Sequence, residues 1–552
     1  MRRLTTLLCV VCLTSHPITL LAQAPTWGMY NGNAQHTGIS TVPMQQMNVI
    51  RWSTPVDLNP VYSGNDLLIH YGSPLATAAN TIIVPVKTGA SDGFMVEGLS
   101  SVNGSVKWTQ TTDYTLPPHD WIPSYAPAIT PQNRLYFAGE GGTIFYRDNI
   151  DSSSASPSTR LAFYGLSNYT ASSSAARGNV FINTPITSDA SGDIFFGYQV
   201  THTVTLGGVT LNAGGGIARI TPAGVATYVQ ASTAASDSNI QKVVMNAAPT
   251  ISNDGKTIYV AVTTANTASS GSGYLLALDN TNSATMATTG KVALMDVNSP
   301  SNKSTLPEQG SASPMVAPNG DVYFGVLENT TQFRSRGWML HFDSTLTQTL
   351  IPSRFGWDNT ASIVASSLVS SYSGNSPYLI LTKYNNYKET GGNGVNKLGI
   401  FDPFNSEPDE IYGKQVAKTV LAIAGVTPDP TLPAVREWCI NSAAVDPFNK
   451  SILVNSEDGK SYVWDLTSNS LIDPVTLTTG IGEAYTPTMI GPDGTGYAIN
   501  NGILFAMGAV AVPEPTTVAL CFVGLFGGGV AWRIRKRQRQ KLADAEISSD
   551  LV

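Results

Sequence analysis

The sequence predicts an all-β fold, and three observations lead to that prediction. Only 12% of the 552 residues are charged, about half of the usual ~25%, which argues against a coiled coil or a disordered chain. Fifty glycines and 33 prolines interrupt the chain often, while hydrophobic residues still make up 42%. One pattern then recurs eight times along the chain. Each copy has a small residue beside a proline or a second small residue, an alternating apolar run, an Asn/Asp/Gly turn and a β-branched or aromatic strand.

Each copy of the pattern predicts a hairpin, because a glycine in the turn adopts a positive φ at low cost. The spacing of the copies fits one four-stranded blade each, with loops of variable length between them. An eight-bladed β-propeller follows, or a seven-bladed one if the sixth copy is an insertion. The eight copies begin at Ser73-Pro74, Ala126-Pro127, Thr184-Pro185, Ala248-Pro249, Ser313-Pro314, Ser366-Ser367, Ser442-Ala443 and Thr486-Pro487.

The two ends of the repeat predict how the ring closes. The eighth copy stops after Ile503 to Met507 without a fourth strand, and an unassigned strand, Val49 to Ser53, precedes the first copy. The simplest assignment is that Val49 to Ser53 completes the eighth blade. Closure in this way removes the exposed strand edge that an open array would leave. Between the sixth and seventh copies, Gln415 to Ala424 has helical periodicity and is predicted to be a loop insertion.

A second signature ends the third strand of several copies, an apolar residue followed by Asp, as in Leu278-Asp279 and Trp464-Asp465. The first copy continues through Asn103-Gly104 to Trp108. This phrase resembles the pyrroloquinoline-quinone-type (PQQ-like) propeller repeat, in which it docks neighbouring blades. The segment from Trp27 to Gly38 resembles the N-terminal segment of the same family, and the resemblance implies that it caps the ring opening.

The N-terminus carries the features of a secretory signal peptide. Arg2 and Arg3 precede an apolar stretch, and Ala22 and Ala24 form a small-x-small cleavage site. The expectation is an exported chain with residues 1–24 removed; an N-terminal membrane anchor is the alternative.

The C-terminus combines three features in order. Pro513, Glu514 and Pro515 come first, residues 516–532 then carry no charge, and a basic cluster follows. Seventeen residues reach ~26 Å as a helix, just short of the ~30 Å hydrocarbon core, so residues 516–532 are a short transmembrane candidate. The basic cluster predicts a cytoplasmic C-terminus. It contains Arg533, Arg535, Lys536 and Arg537.

This order resembles the PEP-CTERM sorting signal of exopolysaccharide-producing Gram-negative bacteria. The resemblance implies removal of the tail by an exosortase-type enzyme after a transient stay in the inner membrane. Delivery to the cell surface or extracellular matrix would follow. A plain single-pass anchor is the alternative.

No catalytic constellation is visible in the body. Gly89 to Gly93 matches Gly-x-Ser-x-Gly but lies in a blade loop rather than between a strand and a helix. The sequence His119-Asp120-Trp121 lies in a Pro-rich connection, and no two histidines share metal-ligand spacing. Cys439 has no adjacent cysteine, although quinoproteins of the resembled family commonly use such a pair against the quinone, beside a Ca²⁺ site.

These observations predict no catalytic residue, no cofactor and no metal. Two Asp-rich loops, 189–193 and 455–459, are better explained as turns than as Ca²⁺ sites. Because both ends are basic, the body is more acidic than the net charge of −7, which argues against a nucleic-acid partner.

The predicted function is a non-catalytic binding or scaffold protein outside the cell, with an extracellular polysaccharide or a surface protein as partner. The alternative is an enzyme on a propeller, a quinoprotein-type dehydrogenase or a polysaccharide-active enzyme. An acid-rich cluster at the ring axis near His119, Asp120 and Trp121 would favour the enzyme. The predicted segments are a signal peptide (1–24), a capping segment (25–48), the propeller (49–511, with 49–53 as closing strand), the sorting signal (512–541, with the helix at 516–532) and a cytoplasmic tail (542–552).

Overall fold

The computed structural model describes residues 26–509, apart from residues 155, 267–269, 431, 439 and 481–486. The chain divides into two units, Met1–Gly508 and Ala509–Val552, and the fold described below belongs to the first. The predicted signal peptide and the whole sorting signal lie outside the described residues. None of the helices in the described part is long and apolar enough to cross a membrane.

The first unit contains eight antiparallel blades, six with four strands and two with five, which confirms the eight-bladed prediction and excludes seven. In each blade the strand that comes first in the repeat is innermost. Blade one contains Leu75–Ala76, Thr81–Lys87, Phe94–Ser100 and Val106–Thr112, and blade two contains Ala128–Ile129, Leu135–Ala138, Thr143–Arg147 and Thr159–Ala162. Blade three contains Val180–Ile182 with Thr187–Ser188, Ile194–Val200, Gly214–Ile220 and Ala226–Gln230. Blade four contains Lys242–Val243 with Thr250–Ile251, Thr257–Thr263, Gly273–Asp279 and Thr288–Ala293. Blade five contains Met315–Val316, Val322–Leu327, Gly337–Phe342 and Ser353–Arg354, and blade six contains Ser362–Ala365, Tyr378–Tyr384, Lys397–Pro408 and Gln415–Ala424. Blade seven contains Ala444–Asp446, Ser451–Asn455, Lys460–Asp465 and Ser470–Thr476. Blade eight contains Thr488–Ile490, Gly496–Asn500, Ile503–Gly508 and Val49–Pro55.

The remaining elements are short and lie in the connections. Two small hairpins and a few single-turn helices make up this set among the described residues. They are the hairpins Tyr62–Ser63 with Asp66–Leu67 and Val204–Leu206 with Val209–Leu211, the α-helices Leu166–Ala171, Ser173–Arg177 and Ala231–Ala235, and the 3₁₀ helices Glu140–Gly142, Ser366–Leu368 and Lys388–Thr390.

Blade eight takes its outer strand from the N-terminal part of the chain. Val49–Pro55 pairs antiparallel with Ile503–Gly508, so this strand runs two residues beyond Ser53. Trp52 then crosses to blade one, where its indole Nε1–H donates to the Ser101 carbonyl at 2.7 Å. Trp108 makes the same bond from blade one to the Ile150 carbonyl of blade two, also at 2.7 Å. An outer-strand tryptophan therefore docks blade one on blade two, and another docks blade eight on blade one. We call this second junction, where the two ends of the propeller meet, the seam.

Residues 27–45, before the closing strand, run around the inside of the ring. Backbone hydrogen bonds join this N-terminal segment to the inner strands, and side chains of His36 and Gln45 reach blades three and eight. Its backbone partners are Ala76, Ile129, Ile251, Val316, Ile363, Val445 and Gly494, from blades one, two, four, five, six, seven and eight. Burial lowers the pKa of His36 to about 4, so this histidine is neutral at physiological pH. The segment fills the axis at one face of the ring.

Two details of blade six differ from the sequence prediction. Gln415–Ala424 is not a helical loop insertion but the outer strand of this blade, paired with Lys397–Pro408. Its inner strand is Ser362–Ala365, and the step at Ser366-Ser367 belongs to a 3₁₀ turn instead. The sixth repeat is therefore a complete blade whose first strand begins four residues earlier than predicted.

Candidate functional site

The loops that lead into the inner strands form the axial face, opposite the N-terminal segment. A connection from blade one to blade two crosses this face, because its Trp121 packs on an apolar cluster from blades five and six, across the ring. In the same connection, the backbone N–H of Ser124 donates to Asn246 Oδ1 of blade four at 2.9 Å. The cluster that Trp121 covers contains Leu327, Phe355, Trp357 and Tyr387.

Below this cover, polar side chains tie the blades together across the axis. The Tyr30 hydroxyl, from the N-terminal segment, lies 2.8 Å from Thr360 Oγ1 and donates to Asn441 Oδ1 at 2.5 Å. Asn441 Nδ2 in turn donates to Ser311 Oγ at 2.6 Å. Burial raises the pKa of Tyr30 well above its usual range, so the hydroxyl stays protonated as the donor.

Three buried lysines at the axial face each meet one carboxylate from a neighbouring segment. Lys87 Nζ lies 2.8 Å from Asp57 Oδ1, and Lys383 Nζ lies 2.7 Å from Asp358 Oδ2. Lys242 pairs with Glu308 in the same way. All six side chains are at most 5% exposed. Burial lowers the pKa of Lys242 and raises that of Glu308, because removal from water disfavours both charged forms.

Two carboxylates, Glu437 and Glu457, lie at the junction of blades six and seven on this face. Glu437 is 16% exposed, and its Oε2 accepts from the Tyr387 hydroxyl at 2.8 Å and from Asn385 Nδ2 at 3.2 Å. Arg334 NH2 lies 3.4 Å from Glu437 Oε1. Glu457 is 14% exposed, and its Oε2 lies 3.8 Å from Arg436 NH1.

Burial raises the pKa of both carboxyls, and for Glu457 the neighbouring Glu437 charge raises it further. Raised pKa values of this kind are frequent at functional sites and also occur in structural networks. Here a tyrosine, an amide and an arginine surround Glu437, so a structural account is available for most of the perturbation.

Of the residues that the sequence singled out near the axis, His119 and Trp121 have structural partners, and Asp120 is exposed. His119 Nδ1 lies 2.7 Å from the Pro117 carbonyl, within its own loop. Residues 89–93 form the turn between two strands of blade one, and Lys87 Nζ donates to the carbonyls of Gly89 and Ala90. No group of three or more His, Cys, Asp or Glu side chains in the described part of the chain could hold a metal ion.

The Asp-rich loops behave as turns. Asp189 Oδ1 accepts the backbone N–H groups of Ser191 and Asp193, which closes the first turn of blade three. In the second loop, Asp458 Oδ1 accepts the N–H of Lys460. Cys439 and the predicted processing residues lie outside the described residues. These are Ala22, Ala24, Pro513, Glu514, Pro515, Arg533, Arg535, Lys536 and Arg537.

Sequence reasoning missed Glu437, Lys383 and Asp358; Lys383 lies near the end of the strand Tyr378–Tyr384, and the other two lie in connections between strands. None of them belongs to a repeat signature, and they are separated in sequence by the length of one or more strands. Glu457 lies in a loop that was singled out only as a turn. The one available signal was Trp121, whose loop was named as the place to look for an axial cluster.

Comparisons with known proteins bear on the tail and on the fold. The family model for the PEP-CTERM protein-sorting motif matches residues 511–536. No curated protein matches the sequence. Among solved structures, a europium-containing methanol dehydrogenase is similar at 11% identity, with a TM-score of 0.50 over 86% of this chain and 89% of that one. The quinohemoprotein alcohol dehydrogenase of Comamonas testosteroni is similar at 10% identity, with a TM-score of 0.51 over 90% and 82%.

At these identities the likeness extends to the fold and not to the activity. The sorting motif, by contrast, is matched directly in the sequence and indicates an exported protein. The chain therefore carries a PEP-CTERM sorting motif, and the body that precedes it is an eight-bladed propeller with the fold of the quinoprotein dehydrogenases.

Proposed function

We propose that this protein is exported, processed by an exosortase-type enzyme at the inner membrane and released to the cell surface or extracellular matrix, where it acts as a non-catalytic binding or scaffold protein. The sorting motif at residues 511–536 supports the export and the processing. An extracellular polysaccharide or a surface protein is the proposed partner, since the acidic body disfavours nucleic acid.

The observation that carries the non-catalytic role is the state of the charged groups at the axial face. The three buried lysines of this face are each paired with a carboxylate from an adjacent segment. Trp121 also packs over the opening from across the ring. A catalytic base needs access to substrate, and groups held in buried pairs between blades serve stability instead.

The residues of the axial face do not fit a quinone cofactor with its Ca²⁺ ion. Asp358 and Glu437 there face lysine and arginine, and the amide of Asn441 is bonded to Tyr30 and Ser311 across the axis. The chain also has no two adjacent cysteines. We therefore derive no catalytic step through that cofactor.

Adding pyrroloquinoline quinone with Ca²⁺ to the purified body, residues 25–511, should leave its melting temperature unchanged. The reason is that a ligand stabilises a protein only by binding its native state. Thermal unfolding with and without both additions checks this, together with dye-coupled oxidation of simple alcohols. A quinoprotein dehydrogenase carried through the same steps is the positive control, and a large temperature increase or turnover would contradict the proposal.

An enzyme is the second candidate, and Glu437 with Glu457 is the observation that favours it. Both carboxyls lie on the axial face and have raised pKa values, and such values are frequent at catalytic sites. Turnover in the experiment above, abolished by Glu437→Gln, would support this candidate over the first.

In the native host, the mature protein should lack everything beyond about Pro515. The basic cluster from Arg533 holds the tail at the membrane while the processing enzyme reaches Pro513 to Pro515 from outside. Replacing Pro513, Glu514 and Pro515 with alanine should leave an unprocessed form in the inner membrane. Intact-mass measurement of surface protein and of membrane fractions checks both outcomes.

The matched control replaces Ser548 and Ser549, beyond the sorting motif, and should be processed normally. If residues 533–552 are still attached to the protein at the surface, the segment is an ordinary anchor.

A further inference from the structure

A second cavity lies away from the axial face, between the N-terminal segment and blade seven. It has a volume of about 560 Å³ and is bounded by Gln45 and Gln46 on one side and by Asn449, Ser451, Asp465 and Asp473 on the other. We propose that this groove, defined by these six residues, binds a neutral saccharide chain. The inference rests on the proposed binding function and names its site and its class of ligand.

Asp473 is the most unusual residue of the groove. It lies in the outer strand of blade seven with a φ of +49°, at a point where the pairing with Lys460–Asp465 shifts register. A left-handed φ in a non-glycine residue carries a cost and is frequent at functional sites. The Asp473 carboxylate makes no hydrogen bond and no ion pair with any of the described residues. Aspartate is one of the few non-glycine residues that adopt this conformation readily, so the backbone accommodates Asp473 at the groove.

Ser451 provides an independent observation at the base of the groove. Ser451 is only 3% exposed, and its Oγ has no hydrogen-bond partner among the described residues. A buried hydroxyl without a partner costs free energy unless a ligand or water satisfies it. The groove thus offers a donor at Ser451 and a free acceptor at Asp473.

The chemistry of the lining indicates the class of ligand. Amides and hydroxyls both donate and accept, as do the hydroxyls of a sugar, and the two carboxylates accept from such hydroxyls. No lysine or arginine lines the groove, so an anionic chain would meet Asp465 and Asp473 without a compensating charge. An organic cation could not accept hydrogen bonds from the N–H and O–H groups of the amides and hydroxyls, so these donors would have no partner in the ligand. A neutral, hydroxyl-rich ligand matches the whole set.

The groove has room for part of a saccharide chain and is open to solvent. Its volume falls in the about 300–1,000 Å³ range of small-molecule sites. Its apolar lining includes Met44, Val463 and Ile472, and Ile472 is 39% exposed. Exposed apolar side chains can pack against the C–H groups of a sugar ring. The groove therefore combines apolar surface with polar groups.

The test uses the purified propeller in affinity electrophoresis through gels that contain neutral, anionic or cationic polysaccharides: amylose, laminarin, galactomannan, alginate and chitosan. We expect at least one neutral polysaccharide to retard the wild type. Asp473→Gly should weaken that binding by about tenfold or more, because a hydrogen bond to a charged group is lost. It should not lower the melting temperature, since glycine tolerates the left-handed φ.

Two further variants separate binding from folding. Lys450→Gly is the matched control, because Lys450 has a φ of +52° in the same blade and its side chain does not line the groove; it should bind like the wild type. Ser451→Ala removes a hydroxyl without a protein partner, so it should weaken binding and keep stability. Retardation only by alginate or chitosan, no retardation at all, or wild-type binding by both groove variants would overturn the inference. Turnover with quinone and Ca²⁺ would instead overturn the proposed function.

Discussion

Replacing Asp409 by asparagine should destabilise the propeller by about 3–5 kcal/mol, the cost of removing one partner of a buried ion pair. Asp409 Oδ1 lies 3.2 Å from Arg336 NH2 and 3.3 Å from Arg354 Nε. The side chains of Asp409 and Arg336 are fully buried, and that of Arg354 is 2% exposed. The variant leaves two guanidinium groups of blade five without this counter-charge. Guanidinium chloride unfolding, followed by tryptophan fluorescence, measures the effect.

Glu407→Gln is the matched control for this prediction. Glu407 lies in the strand Lys397–Pro408, two residues before Asp409, and contacts Arg354 NH2 at 2.9 Å, but its side chain is 31% exposed. A partly exposed pair contributes about 0–1 kcal/mol, so this variant should unfold close to the wild type. Equal unfolding midpoints for Asp409→Asn and Glu407→Gln would show that blade six does not depend on the buried charge.

The blade count could be predicted because each blade begins with the same combination of a small residue and a tight turn. A small residue lets the inner strand approach the axis, and a glycine or asparagine supplies the positive φ of the first turn, as at Gly255, Gly320 and Gly494. The closing strand followed from the strand count alone.

Gly104 has a second role that the repeat pattern does not reveal. It has a φ of +71°, and a Cβ there would come 2.6 Å from the Trp52 ring. The glycine serves the seam as well as the turn.

The outer strand of blade six was missed because its environment removes the alternation of a half-buried strand. Val416 packs with the cores of blades four and five, Ala417 packs with blades five and six, and Leu421 and Ile423 pack with blades six and seven. Both faces of the strand are therefore partly covered. A run with apolar residues on both faces gives a helix-like spacing, and periodicity cannot distinguish the two.

The candidate sites were less predictable than the fold, for a physical reason. Glu437 and Glu457 lie in connections, where no strand period constrains the side chains, and Lys383 lies near the end of a strand of blade six. The groove at Asp473 likewise joins residues 45 and 46 to a blade more than 400 positions later, through the closure of the ring. Such neighbours exist only after the topology is known.

Trp52→Ala should open the ring at its seam and promote association of the opened chains. Trp52 is 8% exposed, packs on Tyr497 at 5.7 Å between ring centroids and docks the closing strand on blade one through Ser101. Truncation of a buried tryptophan costs about 3–5 kcal/mol. If Val49–Pro55 leaves blade eight, the apolar strand Ile503–Gly508 becomes an unpaired edge, which is a template for pairing with another chain.

Trp108→Ala is the matched control, because Trp108 is 6% exposed and makes the equivalent bond to Ile150 within the ring. Both variants should lose similar stability, but only Trp52→Ala should form oligomers, since the strand that carries Trp108 is held by its own blade through short turns. Size-exclusion chromatography with light scattering, at temperatures below the unfolding transition, distinguishes the two. A Trp52→Ala variant that stays as monomeric as Trp108→Ala would mean that strand pairing and the N-terminal segment, which contacts every blade, hold the seam closed without the tryptophan.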